Sequence, residues 1–452
     1  MPEQPVVDPV ADVADAGLAV PVPPVGPVGP ATSSQRLWLR SFGYLAAGEA
    51  ATSVLRFAAL VWIARQLGPS AFGTVTVGLV VGNYLQIVAQ SGLEVTGTRE
   101  LAAHHDRAVP LLGHVVALAL LLAGALWALT VVVTAALPLS GQVQLTIIVF
   151  GLSAFTLAGN VRWSFIAIQR TRAVAVGSLL ASCTYLAGAV LLVRRPSDVV
   201  KAAVLYVVGE AVLSTALVVA SRRRFGSWRP RIERDHVRPT LAQSLPIMVM
   251  LGARSLVISV DVVLVKVLRP AADAGHYAAA SRIALTGIVF LGLYYNAFLP
   301  SLVRAVHDPD QFRALVRVAT RRALVLGPPV AVVIDLVAPV AVHGLFGSSY
   351  DGTTSLLQVL VWGLVLLALT GVQTQVLLAR HHQRQLAVIM VVALAFNVAA
   401  NLVLLPTVGT VGAAIATVLT EAVVLGLTWA AAHRLVPSTG DLAAVSPAPA
   451  AG

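Results

Sequence analysis

The chain has 452 residues, of which 58% are hydrophobic and only 11% charged, too few ions to solvate a globular surface of that size. Its formal charge of +11 rests on 31 basic residues, of which only Lys201 and Lys266 are lysines; most of the arginines fall in short loops between apolar runs, with no aromatic-interleaved basic domain, which argues against a nucleic-acid partner. The lone Cys183 excludes an internal disulfide and a Cys-based metal site.

Residues 1–37 open the chain with eight Pro and four acidic residues but no basic residue before Arg36. That composition cannot build a packed core and lacks the basic start of a signal peptide, so it predicts a disordered cytoplasmic tail. Apolar runs of membrane-spanning length then predict six spans near 39–64, 73–95, 111–137, 143–168, 174–193 and 200–221. A loop at 222–239 carries Arg222, Arg223, Arg224, Arg229, Arg231, Arg234 and Arg238 and reads as the hinge between two lobes. Six more spans follow near 241–268, 275–303, 322–346, 353–379, 386–405 and 410–433. Pro246, Pro328, Pro329 and Pro339 predict kinks or breaks in this second set. Residues 434–452, rich in Pro, Ala and Ser, form a second disordered tail. The resulting fold class is an all-α integral membrane protein of about twelve helices, with an N-lobe over 38–221 and a C-lobe over 240–433 around a central cavity.

Placing the N-terminus and every second loop on one side collects 21 Lys plus Arg there and six on the other, so both termini are expected in the cytoplasm. A shift of 211 residues superposes the segment from Ala202 on that from Ala413, aligning Glu210 with Glu421. Six spans per copy keep the same orientation, which makes the lobes parallel repeats about an axis along the membrane normal, an arrangement suited to alternating access.

Ionisable residues inside spans are costly, about 3 kcal/mol or more each, and so mark function or pairing. Glu49 and Arg56 stand seven residues apart on the first span, on one helical face; Arg254 and Asp261 repeat the spacing on the seventh with the signs reversed. Arg56 and Arg254 are the candidate cavity residues, because guanidinium grips phosphate and carboxylate in bidentate fashion. Glu49, Asp261, Glu210 and Glu421 are candidates for coupling or gating, with lobe-internal pairing as the structural alternative, above all for the two symmetric glutamates. Arg162, Arg282, Lys266 and Asp335 read as side chains snorkelling from span ends. Phe312, Leu315, Val316 and Ala319 line one stripe of 307–322, with Arg313, Arg317 and Arg321 on another, as in a helix lying on anionic headgroups. His104 with His105 and His381 with His382 are adjacent pairs that cannot share a helical face, and no Walker lysine motif exists. The expectation is therefore a non-enzyme with no catalytic residue, no metal and no cofactor.

The run from Arg56 to Ala102, with Ala64-Arg65, Leu67-Gly68-Pro69, Phe72-Gly73, Tyr84, Gly92-Leu93 and Gly97-Thr98-Arg99-Glu100, resembles the opening of the polysaccharide biosynthesis flippases. Val408 to Val424 resembles their last span. These flippases belong to the superfamily of multidrug, oligosaccharidyl-lipid and polysaccharide exporters. The resemblance implies an O-antigen-type flippase that moves an undecaprenyl-diphosphate-linked oligosaccharide across the bacterial plasma membrane for surface polysaccharide export. It implies membrane lipids and a polysaccharide polymerase or glycosyltransferases as partners, and a cationic cavity into which Arg56 and Arg254 fit. Twelve spans depart from the fourteen usual in the superfamily's lipid II flippases, and Glu49 stands where drug exporters often carry an Asp. A cation-coupled multidrug exporter is the alternative, disfavoured by a cationic cavity. A membrane glycosyltransferase or polymerase is a distant third, for want of a sizeable outer loop.

Overall fold

The computed structural model describes residues 33–435 apart from His307 and His381; the expected tails at 1–32 and 436–452 lie outside the described residues. All regular structure among the described residues is helical. The N-half holds α1 (Ser33–Gln86), a π-helical turn (Ile87–Ser91), α2 (Gly92–Ala103), α3 (Ala108–Ala136), α4 (Gly141–Gly151), α5 (Ser153–Ala158), α6 (Arg162–Ala167), α7 (Arg172–Leu192) and α8 (Val199–Phe225). The C-half holds α9 (Arg234–Leu268), α10 (Ala271–Arg304), α11 (Pro309–Phe346), α12 (Thr353–Ala379), α13 (Gln383–Val408) and α14 (Thr410–His433).

Twelve rods emerge because α1 folds back on itself at Gly68, whose φ of 73° is left-handed and interrupts the helix directly before Pro69. Its second limb continues through the π-turn into α2, and α4 to α6 form one broken rod. The sequence repeat is visible in the helices: α7 and α8 begin at Arg172 and Val199, and 211 residues later α13 and α14 begin at Gln383 and Thr410.

Several expectations need correction. α1 already begins at Ser33, inside the predicted tail, and the loop predicted at 222–239 shortens to a connector at 226–233 because both its ends are helical. The separate surface helix at 307–322 does not form. Instead Asp308 caps a helix of 38 residues, its carboxylate accepting from Asp310 N at 3.1 Å and Gln311 N at 3.0 Å with Pro309 in the first turn. The stripe expected on headgroups packs into protein: Phe312 and Ala319 are buried against Leu302, Ala305, Tyr295 and Val376, and the Arg380 guanidinium lies 4.8 Å over the Phe312 ring. α11 also runs through Pro328, Pro329 and Pro339 without a break.

The halves meet along two seams. The second limb of α1 runs beside α9, joined by Lys266 Nζ to Thr74 Oγ1 (3.2 Å), Tyr84 Oη with Ser259 Oγ (2.8 Å) and Asn83 Nδ2 to Ser255 Oγ (3.2 Å). On the face opposite the arginine-rich connector, Gly73 of α1 packs on the Ala271 and Gly275 backbone of α10, and Gly275 on Pro69. Tyr350, fully buried, seals this end: its hydroxyl donates to Ala64 O at 2.9 Å and its ring meets Phe72 and His276.

Candidate functional site

Arg56 lies on α1 and reaches across to α8, where its Nη2 pairs with Glu210 Oε1 at 2.9 Å, while its Nε donates to Ser182 Oγ of α7 at 3.4 Å. Glu210 is 7% exposed and Arg56 37%, so the carboxylate is committed to the protein and the guanidinium keeps an open side. With Ala181, Tyr185, Tyr206 and Gly209 the pair lines a small recess of about 10 Å³, room for about one water molecule. Tyr185 and Tyr206 pack edge to face at 5.9 Å, and the Tyr185 hydroxyl is buried with no hydrogen-bond partner.

A second guanidinium, from the other half, acts on the two tyrosines of this recess. Arg282 of α10 lies within electrostatic reach of both Tyr185 and Tyr206, and among the described residues no hydrogen bond or ion pair holds its side chain. Where snorkelling was expected, its side chain is half-buried and acts on tyrosines of the other half. The signal was present in the sequence: Arg282 stands eleven residues after the start of α10 at Ala271, about 16 Å into a span at 1.5 Å per residue. Arg254, chosen instead, stands on α9 seven residues before Asp261, and its side chain lies outside the described residues.

Asp261 forms a separate buried centre. It is 2% exposed and accepts from Asn401 Nδ2 at 2.7 Å, Thr417 Oγ1 at 2.8 Å and Tyr277 Oη at 3.0 Å, gathering α9, α10, α13 and α14 on one carboxylate. Asn397 extends the network, its backbone oxygen accepting from Asn401 at 2.9 Å and its Nδ2 donating to Thr420 Oγ1 at 3.3 Å. The Asn401 Oδ1 has no partner. Each ring member is neutral, so the charge on Asp261 is balanced by hydrogen bonds alone, an arrangement able to gain and lose a small cation or a proton. Sequence reading missed Asn397 and Asn401, whose i,i+4 spacing inside an apolar helix marks one polar face.

The remaining candidates are dispersed. Glu49 is exposed. Glu421, the repeat partner of Glu210, has a buried Oε2 with no hydrogen bond. Lys266 does not simply snorkel, since it bonds Thr74 across the seam. Glu94 accepts from Gln90 Nε2 at 3.0 Å, and the same amide donates to Asn160 O at 3.0 Å. That contact ties the π-helical turn to the gap between α5 and α6, two backbone irregularities at one depth; irregular backbone is tolerated in a membrane only where protein or a watery cavity satisfies it. Among the described residues no three His, Cys, Asp or Glu side chains gather to hold a metal.

A sequence profile of the family described as polysaccharide biosynthesis protein matches residues 38–306. No curated protein matches the chain. Among solved structures, an inward-facing multidrug resistance MATE family transporter of the MOP superfamily superposes with a TM-score of 0.69 at 17% identity, covering 87% of this chain and 96% of its own. The lipid II flippase MurJ in its inward closed conformation gives 0.71 at 12% identity, covering 86% and 87%. A MOP superfamily transporter from Pyrococcus furiosus, described as having a binding pocket of reverse polarity, gives 0.56 at 13% identity, covering 89% and 97%. At these identities the likeness is one of fold.

Proposed function

The chain belongs to the polysaccharide biosynthesis protein family, and on that premise we propose that it is a flippase for an anionic lipid-linked oligosaccharide, of the undecaprenyl-diphosphate type, in a bacterial plasma membrane. The single observation carrying this reading is the Arg56 guanidinium, held by Glu210 on one side and open on the other, with Arg282 of the opposite half within electrostatic reach of the same two tyrosines. Glu210 and Glu49 both act on Arg56, whereas only the two tyrosines, and no carboxylate, act on Arg282. A desolvated cation surplus attracts phosphate and repels cationic drugs, which sets this reading above a multidrug exporter.

In this proposal the diphosphate bridges Arg56 and Arg282 while the polyprenyl chain stays in lipid. Because the two arginines sit on different halves, the bound anion draws the halves together, and their rocking exposes it to alternate sides. Asp261 is the proposed coupling site, its neutral ring accommodating a proton or small cation; one charge moved through 100 mV supplies about 2.3 kcal/mol. A polymerase or glycosyltransferase would supply or consume the lipid-linked glycan, and both termini would face the cytoplasm with the arginine-rich connector.

The test is the sidedness of lipid-linked glycan in cells depleted of the protein. Accumulation on the cytoplasmic leaflet, reversed by the wild type and not by an Arg56→Gln/Arg282→Gln double variant of equal membrane abundance, is the expected result. Unchanged sidedness on depletion would overturn the flippase reading; full rescue by the double variant would overturn the role of the two arginines.

A further inference from the structure

The connector that joins the halves is strapped down. Trp228 is 3% exposed, its Nε1 donates to Ser221 Oγ at 3.0 Å, and the Arg222 guanidinium covers its ring at 5.5 Å. Farther along, Arg231 N donates to Gly113 O at 3.1 Å, and a side chain at Gly113 would meet Arg229 O at 2.6 Å, so the strap lies directly on the α3 backbone. Its last anchor is a histidine. Glu233 N, one residue before α9, donates to His114 Nδ1 at 3.0 Å, and Thr240 Oγ1 of α9 sits 3.5 Å from His114 Nε2.

We propose that this anchor is an acid-released latch with His114 as its proton-sensing group. A backbone N–H only donates, so Nδ1 holds Glu233 only while it carries no proton. Once both ring nitrogens are protonated, the N–H of Glu233 faces another N–H, and the bond becomes a repulsion. Protons have a route, since His114 lines a groove of about 240 Å³ on the arginine-rich face together with Glu100, Arg107, Glu233, His236 and Thr240. The charged and titratable groups facing it are Glu100 from α2, Arg107 from the α2–α3 turn, Glu233 at the end of the connector and His236 on α9. The two carboxylates favour the imidazolium, whereas Arg107 and His236, whose ring meets that of His114 at 6.3 Å, oppose it. Release would free α9, the first helix of the C-half, from α3 of the N-half, so acidity on this face sets how freely the halves move.

The latch is read directly by a nitroxide at Ile232→Cys, a connector residue 39% exposed, in the full chain with Cys183→Ser and reconstituted in lipid. Continuous-wave spectra at about pH 7.5 and about pH 5.5 bracket the ordinary imidazole range. The expected result is an immobile label at the higher pH and a mobile component at the lower. His114→Gln, whose amide oxygen accepts without titrating, should stay immobile at both, while His236→Asn should keep the wild-type response. An unchanged spectrum in the wild type, a His114→Gln variant that responds like it, or a response abolished by His236→Asn would each overturn the proposal.

Discussion

Gly73 is where a single methyl group should redirect the whole molecule. A Cβ on Gly73 would stand 2.7 Å from Ala271 O and 2.9 Å from Gly275 N, both backbone atoms of α10 that cannot rotate away. Restoring ordinary van der Waals separation needs the two helices to part by about 0.7 Å on the face opposite the connector, and overpacking of this kind costs about 1–3 kcal/mol. The cost falls only on the state in which that face is closed, so Gly73→Ala should shift the balance towards the opened state by about 5- to 150-fold. Pulsed electron-electron resonance between nitroxides at Leu139→Cys and Ser349→Cys, on loops of the two halves at that face, reads the change in a Cys183→Ser background. A longer-distance population should appear in Gly73→Ala and be absent from Gly426→Ala, whose new methyl meets no atom within 4 Å. Identical distance distributions in all three proteins would refute the reasoning.

Glu210→Leu and Glu421→Leu occupy equivalent repeat positions and should differ in thermal unfolding. The first strands Arg56 and should cost about 1–2 kcal/mol, discounted for the half-open arginine; the second removes an unsatisfied buried oxygen and should be neutral or stabilising. Asp261→Leu removes the acceptor shared by three donors, but Asn401 keeps Asn397 O, Thr417 keeps Ala413 O and Tyr277 keeps Thr417 Oγ1, so the loss should stay within about 1–3 kcal/mol in all; Asp261→Asn keeps an acceptor and should fold normally but lose its dependence on an ion gradient in flux measurements. Asp198, in the loop between α7 and α8, is held below the ordinary carboxylate range by its hydrogen bond with Lys201 and by the backbone N–H groups of Arg194 and Arg195. A depressed value stabilises the fold above about pH 3.9, the unfolded reference, and that stability is lost as pH falls through the lower folded value. Melting curves from pH 7 to 3 should therefore show an acid decline that shrinks in Asp198→Asn.

The number and course of the spans were legible because hydrophobic length is a property of sequence alone, and the shift of 211 residues reappears as matched helix starts. The site was legible only in part. Arg56 was found, since a charge in the middle of an apolar run is conspicuous, but its partner Glu210 lies 154 positions on, and nothing local links them. Arg282 was misread because the span was expected to start at 275, four residues after the true helix start at Ala271, which set the arginine too near its end. The stripe on α11 was misread for the opposite reason: an amphipathic period is the same whether the apolar face meets headgroups or another helix, and the Asp308 cap that makes it one long rod was overlooked.

The turn at Gly68 has a mechanical meaning. One residue joins the two limbs of α1, and between them those limbs touch α7 and α8 on one side and α9 and α10 on the other. A hairpin with no loop has no slack, so a displacement imposed on either limb is transmitted rather than absorbed, as in a lever with a short, stiff elbow. Lengthening that elbow by a few flexible residues would leave every contact surface intact while uncoupling the walls it now forces to move together.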